Sequence, residues 1–187
     1  MATLTESDKS FLVKFARSVI QAALEKGEKP AFPDTGSPAL SEKRGCFVSL
    51  HQRGNLRGCI GTIEPEKPLL EGVQENAFNA AFRDPRFTPL KPKELASTDI
   101  EVSVLTVPQK LVFKDADYLK AQLKPGIHGV ILSKGWQRAT FLPQVWEQLP
   151  DKEMFLLHLC RKAGLGGNCW KDSDIVVEVY EAEYFSE

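Results

Sequence analysis

Leu56-Arg57-Gly58-Cys59-Ile60-Gly61 places a thiol between two glycines and two residues after an arginine. In a strand, alternate side chains share a face, which predicts Arg57 and Cys59 on one side and Leu56, Gly58 and Ile60 on the other. A cation beside a sulfur favours the thiolate, the form that acts as nucleophile or metal ligand. Gly58 and Gly61 leave the backbone open to a ligand or to another element. The competing reading is packing. Free cysteine is among the most buried residue types, and glycines beside it also let two layers approach. Packing is the commoner fate of such a cysteine, and reactivity is the reading that makes this stretch a candidate site.

A nucleophilic cysteine needs a base and a group to orient it. Of His51, His128 and His158, His128 is preferred because it precedes a glycine at a strand start, where sites are commonly lined. Glu101, on the polar face of another strand, is the carboxylate that would orient it. Cys59, His128 and Glu101 are therefore the catalytic candidates, against the commoner role of histidine as a structural residue bonded to backbone. Arg83-Asp84-Pro85-Arg86-Phe87 concentrates two guanidinium groups suited to a carboxylate or phosphate. The favoured reading of that corner is internal, with Asp84 paired to Arg83 or Arg86. Arg57, Gly58, Gly61, Arg83 and Arg86 are the ligand-binding candidates. No metal site is expected, because no two cysteines have zinc-ligand spacing, and Cys160 and Cys169 lack a matching histidine pair. Gly164, Gly166 and Gly167 follow a helix and read as a cap and connector, not a phosphate loop. Trp136, Trp146 and Trp170 read as buried packing more than as a stacking surface for bases. No cofactor is indicated.

The elements that must position these groups follow from composition and periodicity. The chain has 187 residues, 42% hydrophobic, enough for one globular domain or two joined lobes. Lys and Arg number 24 against 25 Asp and Glu, so the net charge of -1 gives no general attraction to nucleic acid or anionic membrane. The opening residues lack a basic and then apolar leader, and no apolar run approaches a membrane span. A cytoplasmic protein with its four cysteines reduced is expected. Thr5 or Ser7 caps a first helix that ends at Gly27, and Glu28 to Ser41 is a long connection. Phe47-Val48-Ser49-Leu50 and Leu56 to Gly61 form a hairpin around Arg53-Gly54-Asn55, with Val48 and Leu50 expected on the face of Arg57 and Cys59.

A second helix after Pro68 carries Leu69, Leu70, Val73, Ala77, Ala80 and Ala81 and stops near Pro85. Ile100, Val102 and Val104 alternate with Glu101 and Ser103 in a strand with one polar face. Asp115 or Asp117 starts a short helix. His128 to Leu132 and Trp136 to Leu142 form a second hairpin, Lys152 to Ala163 a longer helix, and Ile175 to Tyr180 a last strand. Hairpins interspersed with helices indicate an α+β fold, two-lobed, with mainly antiparallel sheets, packed helices and a cleft between the lobes. The single domain 1–187 is expected to divide into a larger lobe of about 1–63 plus 127–187 and a smaller inserted lobe of about 64–126.

Several of these stretches together resemble one family: Phe47 to Leu50, Leu56 to Gly61, Asp84-Pro85-Arg86-Phe87, Glu101 to Leu105, His128 to Leu132, and Phe141-Leu142-Pro143-Gln144-Val145-Trp146. They are similar to the AMMECR domain family, named for the Alport syndrome, mental retardation, midface hypoplasia and elliptocytosis chromosomal region. The resemblance covers nearly the whole chain and implies a compact, two-lobed α+β protein of prokaryotic type. It also implies companion proteins, a Memo-like protein and a radical S-adenosylmethionine protein. It implies no particular reaction. Two functions fit: an enzyme or enzyme component using Cys59 on an anionic small molecule, or a non-catalytic module for a partner protein. A nucleic-acid-binding regulator fits the charge less well.

Overall fold

The computed structural model describes residues 2–27 and 30–187. Glu28 and Lys29, which open the connection expected from Glu28 to Ser41, lie outside the described residues. Helix α1 (Glu6–Lys26) starts where Thr5 Oγ accepts the Asp8 N–H at 3.1 Å and the Asp8 carboxylate accepts the Thr5 N–H at 2.9 Å. It ends at Gly27, whose φ of 71° is the left-handed conformation that closes a helix at little steric cost.

The chain forms two compact units. Met1–Val107 with Glu183–Glu187 makes the first, built from α1, α2 (Pro38–Ser41), β1 (Cys46–Gln52), β2 (Asn55–Thr62), α3 (Leu69–Phe82), α4 (Pro92–Leu95) and β3 (Asp99–Leu105). Its sheet has the order β2-β1-β3-β8, with β8 (Ala182–Ser186) returning from the far end of the chain. β1 pairs antiparallel with both β2 and β3. Val48, Leu50, Ile100, Val102 and Val104 point into a core shared with Leu12, Val19 and Ile20 of α1 and Val73 and Ala77 of α3. The opposite face carries Phe47, Ser49, Glu101 and Ser103, as the alternation of β3 predicts.

The division at 63/64 and 126/127 is therefore corrected. α3 and β3 cannot belong to a separate inserted lobe, because α3 supplies the core beneath β1 and β3 is a neighbour of β1 in the same sheet. The boundaries fall after Val107 and after Ala182.

Pro108–Ala182 is the second unit, with β4 (Gln109–Lys110), α5 (Ala116–Gln122), β5 (Gly129–Lys134), β6 (Gln137–Phe141), α6 (Val145–Gln148), α7 (Lys152–Lys162) and β7 (Val176–Tyr180). The sheet order is β4-β7-β5-β6, and all its pairs are antiparallel. Two expectations change here. Cys160 and Cys169 form a disulfide, not free thiols: the chain reverses at Gly164, with φ of 75°, and brings the two Cα atoms within 5.9 Å inside the core of the unit. Trp146 and Trp170 are buried, but Trp136, at the β5–β6 turn, is 91% exposed because the two-residue turn carries it beyond the sheet. Among the described residues no helix is long and apolar enough to cross a membrane.

Candidate functional site

The geometry around Cys59 is set by one extra residue in β2. Arg53 (φ 52°) and Gly54 (φ 77°) form a two-residue turn with both φ values positive, the hairpin geometry that follows strand twist. Gln52 then faces Asn55 and His51 faces Leu56, but Leu50 faces Gly58, so Arg57 is a β-bulge. Past the bulge Ser49, not Val48, stands opposite Cys59. The expectation that Val48 and Leu50 share the face of Cys59 is thus corrected: they belong to the core face, and Cys59 lies on the polar one. Arg57 is also not the cation at the sulfur. Its Nε and Nη2 donate to the Glu94 carboxylate at 3.2 and 3.3 Å. Its buried Nη1 has no hydrogen-bond partner among the described residues.

Cys59 is partly exposed, and its Sγ accepts a hydrogen bond from Ser49 Oγ at 3.2 Å. β2 is the sheet's edge strand, and the outward backbone groups of Cys59 are met by the corner after α3. The Cys59 N–H donates to Asp84 Oδ2 at 2.9 Å, and Arg86 Nη2 donates to the Cys59 carbonyl at 3.1 Å. Asp84, whose side chain is 1% exposed, also accepts from Arg86 N at 3.1 Å, Nε at 2.9 Å and Nη2 at 2.7 Å. The Arg86 guanidinium is the main reason the Asp84 carboxyl is held far below its ordinary value, with the Cys59 and Arg86 N–H groups adding to it against the opposing effect of burial. Arg86 is raised in turn, first by Asp84, with the nearby Cys59 sulfur contributing.

The internal reading of this corner holds, since Asp84 pairs with Arg86. The same pairing sets a guanidinium against Cys59. Arg86 is 55% exposed, and its Nη1 carries no hydrogen bond among the described residues, so it is the group able to hold an anion. Arg83 turns away, with its guanidinium 5.2 Å from the Phe78 ring centroid. Both motif glycines are packing devices. A Cβ on Gly58 would lie 2.2 Å from the Ala80 carbonyl oxygen of α3, and one on Gly61 would lie 2.2 Å from the Phe47 ring.

Ser49 faces Glu101 on its other side, so Cys59, Ser49 and Glu101 form one row across three strands. Residues directly opposite in such pairs share a face. His128 belongs to the second unit, where it is buried, its Nδ1 accepts from Lys124 N at 3.3 Å and its carbonyl accepts the Trp146 indole N–H at 2.7 Å. Burial is the main reason it is held below the ordinary histidine value, with the Lys124 charge adding to the effect. These are the features of a structural histidine. Ser49 was no candidate in the sequence. Among the described residues no three His, Cys, Asp or Glu side chains converge as a metal-ligand set.

The whole chain has a close structural counterpart. An uncharacterised protein from Pyrococcus horikoshii, known from its crystal structure, superposes with a TM-score of 0.91 at 37% identity, covering 98% of this chain and 93% of its own. The AMMECR1 family profile matches residues 13–185. The chain belongs to the AMMECR1 family. Archaeal relatives extend over its full length: a protein from Methanothermobacter thermautotrophicus is 43% identical, covering 100% of this chain and 97% of the relative. Protein MJ0810 from Methanocaldococcus jannaschii is 40% identical, covering 100% and 94%. The AMMECR1 assignment thus includes every residue of the Cys59 row and of the Asp84–Arg86 corner.

Proposed function

We propose that this AMMECR1-family protein is an enzyme or enzyme component that binds an anionic small molecule at the polar face of the first unit's sheet, with Cys59 as nucleophile or covalent anchor. The observation that carries this reading is the partly exposed sulfur accepting the Ser49 hydroxyl at 3.2 Å beside a guanidinium with an uncommitted nitrogen. Ser49 and Arg86 stabilise negative charge on the attacking sulfur and on the ligand, the work of preorganised donors in a site. His128 has no part in this reading, which rests on the first unit alone.

The test is the rate of Cys59 alkylation by iodoacetamide at neutral pH. Ser49→Ala is expected to slow it about tenfold, the effect of one hydrogen bond to a charged group. An unchanged rate in Ser49→Ala, equal to that of N-acetylcysteine, would overturn the reading. A second reading is a non-catalytic module for a partner such as a Memo-like or radical S-adenosylmethionine protein, with the exposed Trp136 as its contact residue. Under that reading Cys59→Ala retains partner binding and Trp136→Ala loses it.

A further inference from the structure

The row through Cys59 is charged at both ends. Arg86 lies beyond the outer edge of β2, because it reaches the Cys59 carbonyl on the side turned away from β1. Ser49 lies on the inner side and Glu101 one strand further. Strands are about 4.8 Å apart, which puts the Glu101 Cα about 10 Å from that of Cys59. Along this line the groups are guanidinium, thiol, hydroxyl and carboxylate. The Glu101 side chain is half-buried and, among the described residues, no ion pair or hydrogen bond occupies it. That sets it apart from Asp84 and Glu94, which are both taken by arginines. A carboxylate left open in a row with a thiol and an uncommitted guanidinium suits a ligand that carries a cation.

We propose that the ligand of this face is bipolar: its anionic group meets Arg86, its ammonium or guanidinium group meets Glu101, and its electrophilic carbon lies over Cys59. The charge separation is too wide for the adjacent α-ammonium and α-carboxylate of an amino acid and fits an ω-cationic carboxylate, such as a carboxylate joined to an amine through a side chain of lysine length, or a short peptide. Glu101 is then the specificity-determining residue for the cationic end. This inference rests on the reactive-thiol reading above and extends it to a substrate class.

A matched set of alkylating probes separates the two. Nα-iodoacetyl-lysine carries both charges, its Nε-acetyl derivative only the anion, its methyl amide only the cation, and iodoacetamide neither. In each reaction the sulfur forms an S–C bond, iodide leaves with the electron pair of the broken C–I bond, and the thiol proton passes to solvent. Rates at Cys59 are taken relative to the same probe on N-acetylcysteine. The zwitterion is expected to react roughly fivefold faster than the anion-only probe, the upper range for a partly exposed ion pair. Glu101→Gln is expected to abolish that advantage, so that the zwitterion and the anion-only probe react at the same relative rate. If the anion-only probe outpaces iodoacetamide but the zwitterion gains nothing, or Glu101→Gln leaves its advantage intact, the bipolar ligand is refuted while the thiol reading stands. If no charged probe outpaces iodoacetamide in the wild type, anion binding at the thiol fails, and this inference fails with it. The wild-type comparison decides the matter even if a variant folds poorly.

Discussion

Replacing Asp84 by Asn tests whether the corner after α3 holds the backbone of Cys59 in place. Asp84 accepts four bonds, from Cys59 N, Arg86 N, Arg86 Nε and Arg86 Nη2. Asn keeps one acceptor oxygen and turns its amide nitrogen, a donor, toward the donors it cannot serve. If the oxygen stays with Arg86, the Cys59 N–H loses its acceptor at a cost of about 1–3 kcal/mol. Loss of the charge-assisted part of the Arg86 contact adds about 1 kcal/mol, a low value because Arg86 is more than half exposed and water replaces the contact. The sum is about 2–4 kcal/mol, or roughly a 30- to 900-fold rise in opening at about 1.36 kcal/mol per tenfold.

Amide hydrogen exchange reads this locally. Peptides spanning 56–61 and 83–87 are expected to lose protection by that factor, with α1 and β3 unchanged. The effect also has a pH signature. The folded carboxyl is held below its unfolded value, so its stabilisation is complete above about pH 4 and is lost as pH falls further. Wild type and variant therefore converge in acid. Protection at 56–61 within about threefold of wild type at neutral pH would refute the clamp, because the Cys59 N–H would then not depend on Asp84.

Three further outcomes follow from the same geometry. In native protein iodoacetamide is expected to modify Cys59 and spare Cys46, whose thiol burial pushes up to about 12, while peptide mapping without reductant recovers Cys160 linked to Cys169. Labelling of Cys46 before unfolding would contradict its burial. Gly58→Ala is expected to cost about 3 kcal/mol by forcing α3 off the sheet, whereas Gly166→Ala, which meets no atom within 4 Å, stays near neutral in the same thermal unfolding series. All three tryptophans lie in the second unit, so their fluorescence reports its unfolding. Because His128 is held below the ordinary value of about 6.5, its neutral form contributes stability that is full above that pH and lost as pH falls through it. His128→Gln is expected to flatten the fall in urea midpoint between about pH 7.5 and pH 5. An unchanged slope would assign that fall to other groups.

Much of the fold was legible because it rests on periodicity. α1, α3 and α7, the two hairpins and the polar face of β3 appear where apolar spacing, caps and turns place them. The lobe boundaries were not legible, because assigning α3 and β3 to a sheet depends on contacts distant in sequence. The same holds for the disulfide: eight intervening residues do not show that a glycine reversal returns Cys169 to α7. β8 was hidden at the chain's end, as a short strand whose place is set by its neighbour in the sheet, by Phe185 on the core and by the Lys9–Glu183 ion pair to α1.

The face of Cys59 is the instructive case, because the sequence contains two signals that disagree. Counting back from a two-residue turn at Arg53-Gly54 puts Cys59 opposite Val48, on the apolar face. Gly58 and Ile60 carry the other signal: they are the small and apolar positions of β2 past the turn, and Ile60 packs against the core cluster that holds Val48 and Leu50, while Leu56, before the bulge and opposite His51, stays exposed. Both can hold only if one residue is added between the turn and Gly58, which is what the bulge at Arg57 does. The hydrophobic phase of the strand therefore outweighs the turn count, since burying Ile60 and seating Gly58 under Ala80 involve more free energy than one irregular backbone pair. Chemistry follows from that choice. Without the bulge Cys59 would face the core as a packed thiol. With it, the sulfur turns to the polar face, opposite Ser49 and in line with Glu101.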